Sequence, residues 1–88
     1  MIIKLILPTS LSRLAKGKEL FEVTGKTVGE CLKQLVSLVP VMKETLFYES
    51  GRLVPRIEIL VNQESAGAEG LAKELKDGDE IQIKMDRH

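Results

Sequence analysis

The feature that most constrains this sequence is one amphipathic helix pattern near its middle. Thr27-Val28-Gly29-Glu30 has the S/T-x-x-E form of a capping box: the Thr27 hydroxyl accepts from the Glu30 amide, and the Glu30 carboxylate accepts from the Thr27 amide. Apolar residues then recur on one broad stripe until Pro40, which disfavours helix at the residue before it. The stripe consists of Val28, Cys31, Leu32, Leu35, Val36, Leu38 and Val39.

Four strand patterns flank this helix, two on each side. Residues 2–7 and 19–23 precede it and residues 57–61 and 80–85 follow it, each rich in aliphatic side chains. Because successive side chains of a strand point to opposite faces, the alternation predicts which residues reach the core. The predicted inward residues are Ile3, Leu5, Leu7, Ile57, Ile59, Val61, Ile81, Ile83 and Met85. The predicted outward residues are Ile2, Lys4, Ile6, Glu58, Leu60, Gln82 and Lys84.

The connections carry turn residues and short helical patterns. Residues 8–17 read as a polar loop anchored by Leu11 and Leu14, and residues 41–48 as a short helix or turn. Further along, the expectations are a Ser50-Gly51 turn, a loop over 62–70, one helical turn over 71–75 and a tight turn at Asp77-Gly78-Asp79.

The order β-β-α-β-β predicts an α+β fold. The right-handed crossover rule places the helix on one sheet face, so the first and last strands can lie side by side and parallel in the middle. We therefore expect a ubiquitin-like β-grasp, with a four- to five-stranded mixed sheet packed on one main helix and residues 1–88 forming a single domain. The other sheet face is left for solvent or a partner.

The composition argues against several partner classes. Thirteen basic residues balance thirteen acidic ones and there are only three aromatic residues, so neither a polyanion footprint nor a stacking platform is present. Nucleic acid and an anionic membrane surface are thus unexpected partners. One cysteine fits a reducing compartment, and no secretory pattern or apolar run of ~20 residues occurs. We expect a soluble cytoplasmic protein.

Five short motifs resemble the ThiS/MoaD family of sulfur-carrier proteins, in family order and over nearly the whole chain. The helix start resembles that family's TVGELL, and the turn before the last strand resembles its LKDGDEV. The matching segments are Thr27-Val28-Gly29-Glu30-Cys31-Leu32, Leu7-Pro8-Thr9-Ser10-Leu11-Ser12-Arg13-Leu14, Ser50-Gly51-Arg52-Leu53-Val54-Pro55-Arg56, Ile59-Leu60-Val61-Asn62 and Leu75-Lys76-Asp77-Gly78-Asp79-Glu80-Ile81.

The resemblance implies a mechanism that this sequence does not complete. In that family an activating-type enzyme adenylates a C-terminal Gly-Gly, which becomes a thiocarboxylate and donates sulfur. Here the sequence ends Met85-Asp86-Arg87-His88, with no glycine after Gly78. We therefore expect a non-catalytic protein-interaction module and not an enzyme, with an activating-type enzyme or a pathway enzyme subunit as partner. The alternative is a sulfur carrier for molybdopterin, thiamine or cysteine biosynthesis, whose diglycine is missing from these 88 residues.

The predicted partner site lies on the open sheet face. Ile6 and Leu60 are expected outward on neighbouring strands, surrounded by Glu58, Gln82 and Lys84. Such aliphatics can form the small apolar patch that β-grasp proteins present to partners. Scattered surface aliphatics are also normal and need no function, so both interpretations stay open.

Three other features have structural explanations. Cys31 could be a reactive thiol, but a free cysteine on an apolar stripe is usually a small buried hydrophobe. His88 could be a metal ligand or general base, but a terminal histidine is usually solvated. Asp77, Asp79 and Glu80 could hold a cation, yet a tight turn explains them. No catalytic residue, cofactor site or metal site is assigned.

Overall fold

The computed structural model describes residues 2–49 and 52–85 of the chain. The expected turn at Ser50-Gly51 and the tail Asp86-Arg87-His88 lie outside these residues. The elements in chain order are β1 (Ile3–Ile6), α1 (Thr9–Ser12), a 3-10 turn (Arg13–Ala15), β2 (Leu20–Val23), α2 (Val28–Leu38), α3 (Met42–Leu46), β3 (Ile57–Val61), β4 (Glu64–Ser65), a 3-10 segment (Gly67–Ala72) and β5 (Glu80–Met85).

The strands form one mixed sheet in the order β2-β1-β5-β3-β4. β1 and β5 are parallel, with Leu5 opposite Ile81, and the other pairs are antiparallel. This arrangement confirms the prediction of a four- to five-stranded mixed sheet in which the first and last strands lie side by side. Because β5 lies between β1 and β3, the residues of those two strands are second neighbours rather than adjacent.

The core lies between the sheet and α2. Ile3, Leu5, Ile81 and Ile83 from the two central strands are fully buried, as the alternation predicts. The apolar stripe of α2 covers them with Val28, Cys31, Leu32 and Leu35, all of them fully buried. Burying one such aliphatic side chain contributes roughly 1.5–3 kcal/mol, so this layer is the main source of stability.

The start of α2 confirms half of the predicted capping box. The Glu30 amide donates to the Thr27 hydroxyl at 3.2 Å. The Glu30 carboxylate, however, accepts from the amide of Lys26 at 3.3 Å rather than from that of Thr27. Thr27 is extended and pairs with Glu74 as an isolated bridge, so the chain enters the helix from a strand-like segment. The helix ends before Pro40, as predicted.

Two predicted loops contain regular structure. Residues 8–17 hold α1 and a 3-10 turn; Leu11 is buried, but Leu14 is 38% exposed and is not an anchor. Residues 62–70 contain β4, which follows a hairpin turn in which Asn62 and Gln63 both have positive φ. The helical turn predicted over 71–75 is shorter than expected: Leu71 and Ala72 lie in a 3-10 turn, closed by the Lys73 amide, which donates to the Gly70 carbonyl at 3.2 Å. The chain is extended after Ala72.

Within the described residues, no helix has the length and apolarity to cross a bilayer.

A candidate protein-docking face

The sheet side opposite α2, called here the outer face, carries one row of residues that crosses all five strands. The register places Leu20 beside Ile6, Ile6 beside Gln82, and Gln82 beside Leu60, with Ser65 at the far end. Paired residues of adjacent strands point to the same face. Three of the five side chains are aliphatic, and we call Leu20, Ile6, Gln82 and Leu60 the apolar row.

Exposure varies strongly along this row. Leu20 is 51% exposed and Ile6 is half-buried, whereas Leu60 is only 8% exposed. Leu60 is nevertheless not part of the core cluster, which agrees with its predicted outward direction. Its strand lies between β4 and β5, and β4 lies in a segment that the sequence pattern assigns to a loop. Leu60 therefore offers little surface to a partner.

Leu20 is the residue of this face that sequence reasoning misses. The sequence pattern starts the second strand at Glu19, and its alternation is imperfect. It therefore does not predict on which face of the sheet Leu20 lies. In the structure β2 alternates regularly, with Leu20 and Glu22 exposed and Phe21 and Val23 buried. The signal is present in the sequence as an apolar residue out of phase with Phe21 and Val23.

Charged residues surround the apolar row at defined register positions. Lys4 lies between Glu22 on β2 and Glu80 on β5, and Glu58 lies opposite Lys84. Opposite charges at such positions contribute roughly 0.2–1 kcal/mol each relative to alanine pairs and favour one strand register. The outer face therefore combines a narrow apolar row with a mixed-charge surround. The structure thus brings Glu58, Gln82 and Lys84 onto the same face as Ile6 and Leu60.

The acidic turn before β5 is occupied by hydrogen bonds of the fold. Asp79 accepts from the backbone amide of Lys76 at 2.7 Å and from the Asn62 side-chain amide at 3.1 Å. These two bonds, the backbone amide first, lower the pKa of the Asp79 carboxyl below its ordinary value. Asp77 accepts from the backbone amide of Ile2 at 2.8 Å. Among the described residues, no cluster of three or more histidine, cysteine or acidic side chains could hold a metal ion.

Cys31 is a packing residue of α2. Its side chain is fully buried in the core cluster. Burial, and to a smaller extent the charge of Glu30, raises the pKa of the Cys31 thiol to about 11. The thiol is therefore protonated near neutral pH, which makes it a poor nucleophile. His88 lies outside the described residues.

A mixed sheet that packs on one main helix and leaves its other face without a helix is typical of a ubiquitin-like β-grasp protein. Comparison with protein families matches residues 5–83 to the ThiS family. The chain therefore belongs to the ThiS family, whose relatives are sulfur carriers and protein modifiers of ubiquitin-like fold. A comparison with curated protein sequences found no match.

Solved structures show the same fold over nearly the whole chain. SAMP1 from Haloferax volcanii has a TM-score of 0.88 and 27% identity, covering 99% of this chain and 97% of that one. The BexX/CysO complex of Amycolatopsis orientalis contains a chain with a TM-score of 0.88 and 30% identity, covering 98% and 97%. Mycobacterium tuberculosis CysO has a TM-score of 0.86 and 27% identity, covering 97% and 99%. These likenesses confirm the predicted β-grasp fold and the ThiS/MoaD resemblance.

Proposed function

We propose that this chain is a non-catalytic protein-interaction module that docks a partner enzyme through the outer face of its sheet. The observation that carries the proposal is the apolar row, in which Leu20 and Ile6 lie side by side between charged positions. Removing these aliphatic side chains from water favours association, while the charged surround selects the partner and its orientation. A relative with 30% identity was solved in a complex, that of BexX with CysO, which supports a protein partner.

Family membership supports two classes of partner. Family members are recognised by an activating-type enzyme or by an enzyme subunit of the pathway that they serve, and we propose the same two classes here. Glu58 and Lys84 lie at one end of the outer face and Lys4 and Glu80 nearer the other, so a partner must present charges of both signs. Such a face favours a specific protein surface over a uniformly charged polymer.

The experiment compares captured proteins between variants of the whole chain. The chain is immobilised and exposed to a lysate of its native cells, and bound proteins are quantified by mass spectrometry. Ile6→Asp and Leu20→Asp place a carboxylate in the apolar row and are expected to deplete an adenylating enzyme or a pathway enzyme at least ~10-fold, a loss of ~1.4 kcal/mol. Leu60 is unsuitable for this test because an aspartate at a side chain only 8% exposed would also disturb folding.

Tyr48→Asp is the matched control. Tyr48 is 53% exposed, close to the 51% of Leu20, and it follows α3, where it lines a cleft together with Lys33 and Val36 of α2. Adding the same charge there is expected to leave the captured enzyme unchanged. Equal capture by all three variants would contradict docking through the outer face, provided that thermal melts show each variant folded.

Family membership also favours a second candidate function, that of a sulfur carrier whose C-terminal diglycine lies beyond His88. Docking through the outer face does not depend on residues beyond His88, so the two functions separate experimentally. The native full-length chain is incubated with ATP, the activating enzyme and a sulfur source, and its intact mass is measured. A gain equal to the exchange of one oxygen for one sulfur identifies a carrier. No gain leaves the docking module as the function.

A further inference from the structure

A second apolar surface lies on the helix side of the sheet, away from the outer face. It is a groove of about 460 Å³ between the C-terminal end of α2 and the segment that leads into β2. We call it the helix-side groove. Its lining includes Leu14, Lys16, Lys18, Phe21, Leu38 and Val41.

The groove concentrates exposed apolar surface. Six large hydrophobic side chains among the described residues are exposed, and three of them line this groove: Leu14 at 38%, Leu38 at 57% and Val41 at 48%. Phe21, which is only 5% exposed, also contributes to the lining. These neighbouring aliphatic side chains give a partner apolar surface to remove from water.

The charged side chains at the groove are basic. Lys16 and Lys18 line it, and Arg13 precedes them in a segment, residues 13–18, that contains no acidic residue. The next acidic residue along the chain is Glu19, whose carboxylate accepts from the Thr9 hydroxyl at 3.3 Å. Among the described residues that line the groove, none carries a carboxylate.

The basic rim is held in place by the fold of its own loop. The amide of Gly17 donates to the Ser12 carbonyl at 2.8 Å, and that of Lys18 donates to the Ala15 carbonyl at 3.1 Å. The Lys18 ammonium lies 4.8 Å from the centre of the Phe21 ring. Lys16 has a φ of 58°, a left-handed conformation that costs a residue other than glycine roughly 1–2 kcal/mol. Glycine would adopt this conformation at a lower cost.

We propose that the helix-side groove docks an acidic, leucine-containing segment of a partner protein. The aliphatic side chains of that segment fill the cleft between Leu14, Leu38 and Val41, and its aspartates and glutamates lie against Lys16 and Lys18. Charge complementarity selects this occupant, since a basic or neutral segment gains nothing from the rim. The proposal goes beyond docking through the outer face, because the two surfaces lie on opposite sides of the sheet and one molecule can use both.

The test is a titration of the isotope-labelled full chain followed by ¹H–¹⁵N spectra. The probe is an acetylated synthetic decapeptide in which leucines alternate with aspartates and glutamates; the control peptide has lysines in place of the acidic residues. The acidic peptide is expected to shift the amides of residues 13–18 and of Leu38, Val39 and Val41, with an affinity that falls as salt is added. Joint replacement of Lys16→Glu and Lys18→Glu is expected to weaken binding about tenfold, or ~1.4 kcal/mol.

A matched pair of variants locates the site. Leu38→Ser and Leu20→Ser remove the same side chain at exposures of 57% and 51%, but only Leu38 lies in the groove. Leu38→Ser is expected to weaken peptide binding and Leu20→Ser to leave it unchanged. Shifts elsewhere in the chain, equal effects of the two variants, equal binding of both peptides or no binding would each overturn the proposal. So would sedimentation data in which a second copy of the chain occupies the groove without peptide.

Discussion

At the scale of single residues, two glycines set how closely other segments approach α2. A Cβ at Gly25 would lie 2.9 Å from the Glu30 Cβ and 3.0 Å from the amide and the sulfur of Cys31. A Cβ at Gly29 would lie 3.2 Å from the carbonyl oxygen of Leu71. Gly29 belongs to the capping-box motif, so that motif combines a helix start with a place for the 3-10 segment to pack. The sequence pattern reveals the first role and not the second.

Replacing Gly25 with alanine is expected to destabilise the fold by about 1–3 kcal/mol, the usual cost of forcing an extra methyl group into a packed site. The clash involves the backbone of α2, which cannot move without shifting the buried Cys31. The measurement is the free energy of unfolding in urea. Gly29→Ala is the comparison, since its 3.2 Å contact is milder and alanine favours helix over glycine by ~1 kcal/mol. An equal or larger loss for Gly29→Ala would contradict this explanation.

At the scale of elements, the sequence predicts those helices and strands whose apolar residues repeat with a clear period. It misses elements that are too short to show one. The long stripe of α2 and the alternation of β5 are recognisable because each repeats its pattern several times. β4 has only two residues, Glu64 and Ser65, and two residues carry no period. Its pairing with β3 comes from the hairpin turn at Asn62, whose positive φ the residue types alone do not impose.

The same limits apply to the candidate site. Alternation correctly gives the outward direction of Ile6 and Leu60, because direction is a property of one strand. The neighbours of a residue are a property of the whole sheet, so the separation of these two by Gln82 and the enclosure of Leu60 are not predictable from the strand patterns. Leu20 completes the apolar row only once β2 is paired with β1.

The start of α2 offers a prediction at this scale. Thr27→Ala removes the side-chain oxygen that accepts from the Glu30 amide and is expected to cost about 1 kcal/mol, within the usual range of ~0.5–2 kcal/mol for a helix N-cap. Thr27→Ser keeps the acceptor and is expected to retain most of the stability. Urea denaturation of both variants measures the difference. Equal losses for alanine and serine would show that the threonine methyl group, rather than the hydrogen bond, stabilises this position.

At the scale of the whole molecule, the turn before β5 joins segments that are far apart in sequence. The Asp79 carboxylate accepts a hydrogen bond from the side-chain amide of Asn62, in the β3–β4 hairpin. The backbone carbonyl of Asp79 accepts from the Lys4 amide of β1 at 3.1 Å. The Asn62 oxygen in turn accepts from the Glu80 amide at 3.0 Å. Two of the family-like motifs, Ile59-Leu60-Val61-Asn62 and the Asp77-Gly78-Asp79 turn, are thus halves of one hydrogen-bonded junction. The two motifs are in direct contact through these hydrogen bonds.

This junction makes the stability of the fold depend on pH. The folded-state pKa of Asp79 lies below its ordinary value of 3.8, so between these two values the unfolded chain binds more protons than the folded one. The stabilisation is fully present above the unfolded pKa and is lost as the pH falls through the lower, folded pKa. The difference in unfolding free energy between the native chain and Asp79→Ala is therefore expected to be largest above about pH 5 and to become smaller below about pH 4.

Asp79→Asn removes the charge and the acceptor for the Asn62 side chain but keeps one side-chain acceptor at this position. Its amide oxygen can still accept from the Lys76 amide, which donates to the native carboxylate at 2.7 Å, but the side chain does not titrate. Asp79→Asn is therefore expected to be more stable than Asp79→Ala at every pH, with a difference between the two that does not change. A gap between the native chain and Asp79→Ala that stays constant from neutral to acid pH would show that the carboxylate charge contributes nothing. The Asp79 side chain would then stabilise the junction through hydrogen bonds that do not depend on its charge.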